Sequence, residues 1–322
     1  VLTNIAKLEE PTTSRIFLNQ ISVVDHAYID DKGCVRGGSF NPNFIVAGKP
    51  DDVEKVVVDF STIKKDIKKV IDQHLSNPLI NGYDHKLWVI EGYSAINEYV
   101  PDNYEMVHIE TPSLKIDLPS NAVRYISRVE SKNPSHHLDY IGAAFTELVQ
   151  RQLSQLYPLI NVETQCVNTV DEHLTFNVET RPFHYVHGLK DSTSYGCQNI
   201  AHGHRSYIHT DIEIGDVRAP VIRYLLTEIA AELDDTVFVR QDNVIATDND
   251  TITIGYSTTQ RGRFNLVLNT EKHKIVVLPT ETTVEFLAAY VKMKYGDQLR
   301  NAGVTTVYIS EGLSKGAVEL LQ

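Results

Sequence analysis

The chain has 322 residues, 42% hydrophobic and 22% charged, with a formal net charge of −12. That is length for two ordinary domains and the composition of a soluble globular protein. The acidic balance, with no basic stripe among aromatics, argues against a nucleic-acid partner; three cysteines argue against a secreted disulfide scaffold and fit a reducing cytoplasm; and no run near 18 apolar residues argues against a membrane span.

Residues 1–13 read as a tail without an apolar run, so no signal peptide is expected. The β-branched stretch 15–29 reads as a strand, the glycines 33, 37 and 38 break the pattern, and a second strand begins at 44–47. VVVDF (56–60) reads as a short strand and Ser61 as the N-cap of a helix carried by Ile63, Ile67, Val70 and Ile71. Asp84 and His85 follow a turn. Strands are expected at 105–109 and 114–116, a helix opening at Pro119 and running past Ile126, a loop at 131–137, a helix over 140–156 and a strand at 159–166.

The second half repeats the order. Strands are expected at 174–183 and 206–214, a helix from Pro220 to Leu233, strands at 251–256, 264–268 and 274–278, a helix from Pro279 to Tyr295, and a last strand at 304–309 followed by Glu311. SLKIDLPSNAVRYI parallels HKIVVLPTETTVEFL, and LINVETQC parallels TTVYISEG. The chain therefore reads as a tail (1–13) and two copies of one β-β-α-β-β-α-β unit, 14–168 and 169–322. In this alignment Ser39 and Asn41 stand where the second copy has His202 and His204, and Asp84-His85 stands where it has Asp234-Asp235.

The most informative stretch is YGCQNIAHGHRSY, 195–207. On a strand His202 and His204 project to one face with Gly203 between them. Imidazole suits zinc, and a tetrahedral ion needs a third group. His187 supplies it, with His184 as a rival; Cys197 is a fourth ligand, a nucleophile or a base. Paired histidines on a strand also serve as packing residues; the nearby Cys197 and the upstream aromatic-x-x-x-His favour a metal.

These residues resemble the 6-pyruvoyl-tetrahydropterin and 6-carboxy-tetrahydropterin synthase family. Its pattern of an aromatic, three residues, a histidine, then Cys and His-Gly-His is matched by Phe183, His187, Cys197, His202, Gly203, His204 and Tyr207. The match continues with Asp59-Phe60, Asp84-His85, Pro279-Thr280 and Glu311, or Glu163 in the first half. The split across a tandem repeat departs from the family's single-domain subunit. The resemblance implies an α+β tunnelling fold (T-fold), with each half an antiparallel four-stranded sheet bearing two helices on one face, and a homo-oligomeric barrel. It implies Zn2+ on His187, His202 and His204. Cys197 would be the catalytic base with Asp84 and His85, Glu311 or Glu163 would hold the pterin ring, and Thr280 and Thr282 would add ring contacts. The implied activity is a lyase converting 7,8-dihydroneopterin triphosphate to 6-carboxy-5,6,7,8-tetrahydropterin, as in queuosine synthesis. The alternatives are the 6-pyruvoyl product, or a non-catalytic or differently specific pterin- or purine-binding T-fold oligomer.

Overall fold

A computed structural model describes residues 13–19, 21–51, 56–71, 87–90, 95–101, 105–126, 147, 149–167, 177–193, 196–313 and 315–321. The protein is α+β, with three six-stranded sheets and four helices among the described residues. The first half contributes strands β1 (Ser14–Leu18), β2 (Val24–Ile29), β3 (Val35–Gly48), β4 (Leu87–Ile90), β5 (Ala95–Pro101), β6 (Glu105–Glu110), β7 (Leu114–Pro119), β8 (Val123–Ile126) and β9 (Asn161–Val167). Its helices are α1 (Phe60–Ile71) and α2 (149–156). The second half contributes β10 (Val178–His187), β11 (His202–Glu213), β12 (Thr236–Arg240), β13 (Val244–Thr247), β14 (Thr251–Thr258), β15 (Gly262–Asn269), β16 (Lys274–Leu278), β17 (Thr306–Ser310) and β18 (Gly316–Leu320), with α3 (Ala219–Leu233) and α4 (Val284–Asn301).

One pairing scheme recurs along the chain. An antiparallel hairpin (β2/β3, then β10/β11) takes a parallel strand on its first arm (β4, then β12), and that strand takes a second parallel one (β8, then β16). The hairpin's second arm takes an antiparallel strand (β9, then β17). Between the two parallel strands the chain makes a three-stranded meander, β5–β7 or β13–β15. The meanders join through the antiparallel pair β15/β7, where Leu266 faces Ile116, so one sheet is shared by both halves. Two of the three sheets are mixed, each with four strands paired antiparallel and two added in parallel, whereas the shared meander sheet is antiparallel throughout; the expected four-stranded antiparallel halves are thus six-stranded mixed sheets.

Packing follows the helices. α3 and α4 bury Ile222, Leu226, Leu287 and Val291 on Ile208, Phe238 and Val307 of their sheet, and α1 and α2 bury Ile63, Ile67, Val149 and Leu153 on Phe40, Phe44 and Val162 of theirs. A third core joins Ala27, Ile29 and Val35 to Val186, Val237 and the shared sheet's Ile116, Leu118, Leu266 and Leu268. Burial of apolar area at this seam stabilises the two halves against each other.

Several local expectations give way. VVVDF is not a strand; Asp59 caps α1, its Oδ1 accepting the Thr62 N–H at 2.8 Å, so the helix starts at Phe60. After Pro119 there is one 3₁₀ turn, Ser120–Ala122, and then β8, because VRYI pairs in parallel with β4. Residues 15–29 hold two strands, β1 and β2. Gly37 and Gly38 lie inside β3, where neighbours leave no space: a Cβ on Gly37 would sit 2.0 Å from the Tyr185 carbonyl oxygen, and one on Gly38 2.7 Å from the His26 ring.

Candidate metal centre

β10 alternates, so Phe183, Tyr185 and His187 share the face that meets the α3/α4 core. Across the hairpin His187 pairs with His202 and Tyr185 with His204. This register brings the three imidazoles together at the end of the hairpin, all within 1% of full burial. Their ring centroids are 4.4 to 5.1 Å apart, and one nitrogen from each lies within 4.8 Å of the others. Gly203 is required between the ligands: a Cβ there would lie 2.5 Å from the Cα of Gly37 where the two hairpins cross.

The donor set fits a cation. Nε2 of His204 faces Nε2 of His187 at 3.2 Å, both rings fully buried. Zinc–nitrogen bonds of about 2.0–2.1 Å in a tetrahedron place two ligand nitrogens about 3.3–3.4 Å apart. His187 is aimed from behind, its Nδ1 2.7 Å from the carbonyl oxygen of Thr282. Such an outer partner fixes the tautomer and leaves Nε2 for the metal. Three imidazoles leave one position of a tetrahedron for a substrate oxygen or water.

Two charged side chains adjoin the triad. Glu311 Oε1 lies 3.9 Å from His204 Nε2, and its Oε2 accepts a 2.8 Å hydrogen bond from Lys315. Burial alone would raise the Glu311 carboxyl, but His204, Lys315 and His187 outweigh it and hold it below the usual carboxylate range. Burial works against the Lys315 ammonium too, yet Glu311, Asp25 and Cys197 leave its pKa above the ordinary value. Tyr185, whose ring is 5.1 Å from both His187 and His204, has its phenol pushed well above the usual range by burial, then by Glu311 and Asp25.

Cys197 sits in the turn before β11 and is in no disulfide. The turn is tied down: Leu189 donates to the Cys197 carbonyl at 2.8 Å, Tyr256 to the Gln198 carbonyl at 3.0 Å, and Asn199 Nδ2 to Ala122 of the first half at 3.0 Å. Cys197 acts electrostatically on both Tyr185 and Lys315, but it is not among the ligand atoms gathered within 4.8 Å of one another. Asp84 and His85 lie outside the described residues. Thr282 is fully buried behind His187, and Thr280 bonds its neighbour Glu281.

Glu163 is not brought to this cluster; it lies exposed on β9 and pairs with Arg15 at 3.2 Å. Nor does it match Glu311 in the recurring scheme. Val167 and Ile309 hold corresponding positions, opposite Asn41 and Ile208, and Glu163 is four residues before the one while Glu311 is two after the other. His184, the rival ligand, points to the opposite face and bonds Asp234 at 2.9 Å. With Asp235 it forms a second group of metal-ligating types, but Asp235 is held by Arg36 at 3.1 Å. A cavity of about 440 Å³ lies on that opposite face of β11 and β17, lined by Tyr207, His209 and Tyr308 and reaching Lys315. His209 and Tyr308 stack there at 4.4 Å.

Sequence reasoning named Thr282 for ring contacts, where the structure sets its carbonyl behind His187, and missed Asp25 beside His204. An acid inside the apolar run VVDHAYI was the one available signal for Asp25.

No protein-family profile and no curated protein matches the chain. Solved structures do. The 6-pyruvoyltetrahydropterin synthase of Plasmodium vivax is 16% identical over 50% of this chain and 94% of its own, with a TM-score of 0.34, and a catalytic-residue mutant of it matches at 15% identity and the same TM-score. An uncharacterized protein from Wolinella succinogenes is 14% identical over 45% of this chain and 97% of its own, with a TM-score of 0.31. No described helix is long and apolar enough to cross a membrane.

Proposed function

We propose that the protein is a zinc-dependent, tetrahydropterin-synthase-like lyase of the cytoplasm, built as a tandem duplication of T-fold halves, 14–168 and 169–322. The observation that carries this reading is the buried triad His187, His202 and His204 with a carboxylate, Glu311, 3.9 Å from one of its nitrogens. The substrate is 7,8-dihydroneopterin triphosphate and the product 6-carboxy-5,6,7,8-tetrahydropterin, on the queuosine route.

Zinc on the three histidines would polarise side-chain oxygens of the substrate and stabilise the negative charge that develops there. Glu311, ionised well below neutral pH, accepts hydrogen bonds from the paired N–H donors of the pterin edge. Its contact with the triad favours it over Glu163. Cys197 takes up the proton from carbon, with Asp84 and His85 completing the relay. Thr282 orients His187, and Thr280 stands beside it at the entrance to α4. An oligomeric barrel is supported by apolar side chains on edge strands: Phe17 of β1 is 73% exposed and Val318 of β18 is 55% exposed.

Elemental analysis of the purified chain beside His202→Ala, with turnover of 7,8-dihydroneopterin triphosphate on the same samples, tests this reading. About one zinc per chain, lost with turnover in the variant, is the expected result. Absence of zinc from the wild type would sink it. Zinc without turnover would keep the metal centre and reject the substrate.

A further inference from the structure

We infer that Asp25, from the first half of the chain, is the positioning carboxylate of the metal centre and orients His204 so that its Nε2 faces the metal. This rests on the metal reading of the histidine triad proposed above.

Asp25 Oδ1 lies 3.4 Å from His204 Nδ1, and the two side chains are 5% and 1% exposed. On the far side of the same ring, His204 Nε2 looks at His187 Nε2 across 3.2 Å. A carboxylate on the Nδ1 side favours the tautomer with its proton there, and so frees the Nε2 lone pair for the ion. His187 is held in the same sense by the Thr282 carbonyl at 2.7 Å. His187 is braced at Nδ1 by a hydrogen bond, while His204 Nδ1 makes none and instead has the Asp25 carboxylate 3.4 Å away, an approach that a modest turn of either side chain would make a hydrogen bond. One brace is main chain from the second half; the other is a charged side chain from the first.

Asp25 is itself held in place. Ser39, its cross-strand partner in the first hairpin, donates its hydroxyl to Asp25 Oδ1. The same hydroxyl oxygen accepts the N–H of Arg205, the residue after the ligand His204, at 2.9 Å. The carboxylate is therefore tied to the backbone beside the ring it faces. Glu311 leads into Gly312, which closes over Asp25 with φ +63°; a Cβ at Gly312 would lie 2.4 Å from Asp25 Oδ1. An ionised carboxylate 6% exposed is costly unless opposite charge is near. Lys315 supplies some of it, and a cation on the triad would supply more. In the second hairpin the position matching Asp25 is Phe183, so this acid is not a feature of the repeating scheme. It makes sense only where the first hairpin crosses the second.

The test is zinc affinity of the full chain, stripped of metal and titrated against a chromogenic chelator, for wild type, Asp25→Asn and Ser39→Ala. The melting temperature of each metal-free protein and the visible spectrum of each Co2+ form are recorded alongside. Asp25→Asn is expected to bind zinc about 10- to 100-fold more weakly and to shift the Co2+ bands, with Ser39→Ala changing both in the same direction by less. If Asp25→Asn binds zinc as tightly as wild type with an unshifted Co2+ spectrum, the inference is wrong, whatever happens to its metal-free stability; that pattern is what a purely structural tie between hairpins would give. If Asp25→Asn does not fold, Ser39→Ala decides: weakened zinc and shifted bands support the inference, unchanged values overturn it. A wild type that binds no zinc rejects the metal reading itself, a different result from equal binding by all three proteins.

Discussion

The β10/β11 hairpin carries His187, His202 and His204 at the positions where the β2/β3 hairpin carries Ile29, Val35 and Gly37. The overlay follows from pairing: Ile29↔Val35 and His187↔His202 are the last pairs before the connecting turn, and the parallel strand joins at Ala27–Tyr28 in one and Tyr185–Val186 in the other. The first hairpin thus has apolar side chains and a glycine where the second has donors. Its Ile29 and Val35 enter the core shared between the halves, and its Gly37 allows the second hairpin's backbone to approach. One hairpin presents a cluster of histidines and the other presents a surface that buries it.

The largest expected effect erases the difference between the hairpins. His204→Ala should reduce zinc from about one per chain to near none, read by elemental analysis, and abolish lyase turnover. Next, the crossing can be attacked from the ligand-free side. Gly37→Ala puts a methyl group against the Tyr185 carbonyl and the His204 backbone, which cannot swing away. It should cost about 3 kcal/mol or more of stability, measured by denaturant unfolding; a loss below about 1 kcal/mol would mean the hairpins do not cross this closely.

A comparable effect should come from pH. His26 is fully buried beside the crossing, and burial, against smaller opposing contributions from Val24 and Asp25, lowers its pKa from 6.5 to about 4. Between those values the unfolded chain binds a proton that the folded chain does not, so stability is full above about 6.5 and falls as pH drops towards 4. The loss is about 3 kcal/mol, and His26→Leu should remove that part of the pH dependence in urea melts taken at several pH values.

Glu311→Gln should raise KM for the pterin about 10- to 100-fold, the worth of charge-assisted hydrogen bonds, and leave zinc in place. Its apparent sequence counterpart gives the smallest effect: Glu163→Gln, on an exposed pair with Arg15, should leave turnover unchanged and move stability by about 0.5 kcal/mol or less.

Sequence aligned the two halves four residues out of register at this point. The sequence alignment set Ser39 and Asn41 against His202 and His204, whereas pairing sets Val35 and Gly37 there. The reason is the connection: five residues, 30–34, join β2 to β3, and fourteen, 188–201, join β10 to β11. Loop length is thermodynamically tolerant, so similarity counted through a loop drifts, while strand pairing does not. The same limit explains Gly37 and Gly38, read as breaks because what excludes a side chain there is another part of the chain.

By itself the sequence determined the metal-ligating types and their spacing, because i, i+2 on a strand is local geometry. It determined α3, α4 and most strands of the second half through their periodicity. Tertiary structure decided what non-local contact governs: the parallel pairing that makes VRYI a strand, the exposed place of Glu163, the approach of Glu311 to His204, and the crossing that carries Asp25 to within 3.4 Å of His204. A carboxylate 179 residues from the ring it braces leaves no periodic trace in the chain, since only the packing of two hairpins brings them within 3.4 Å.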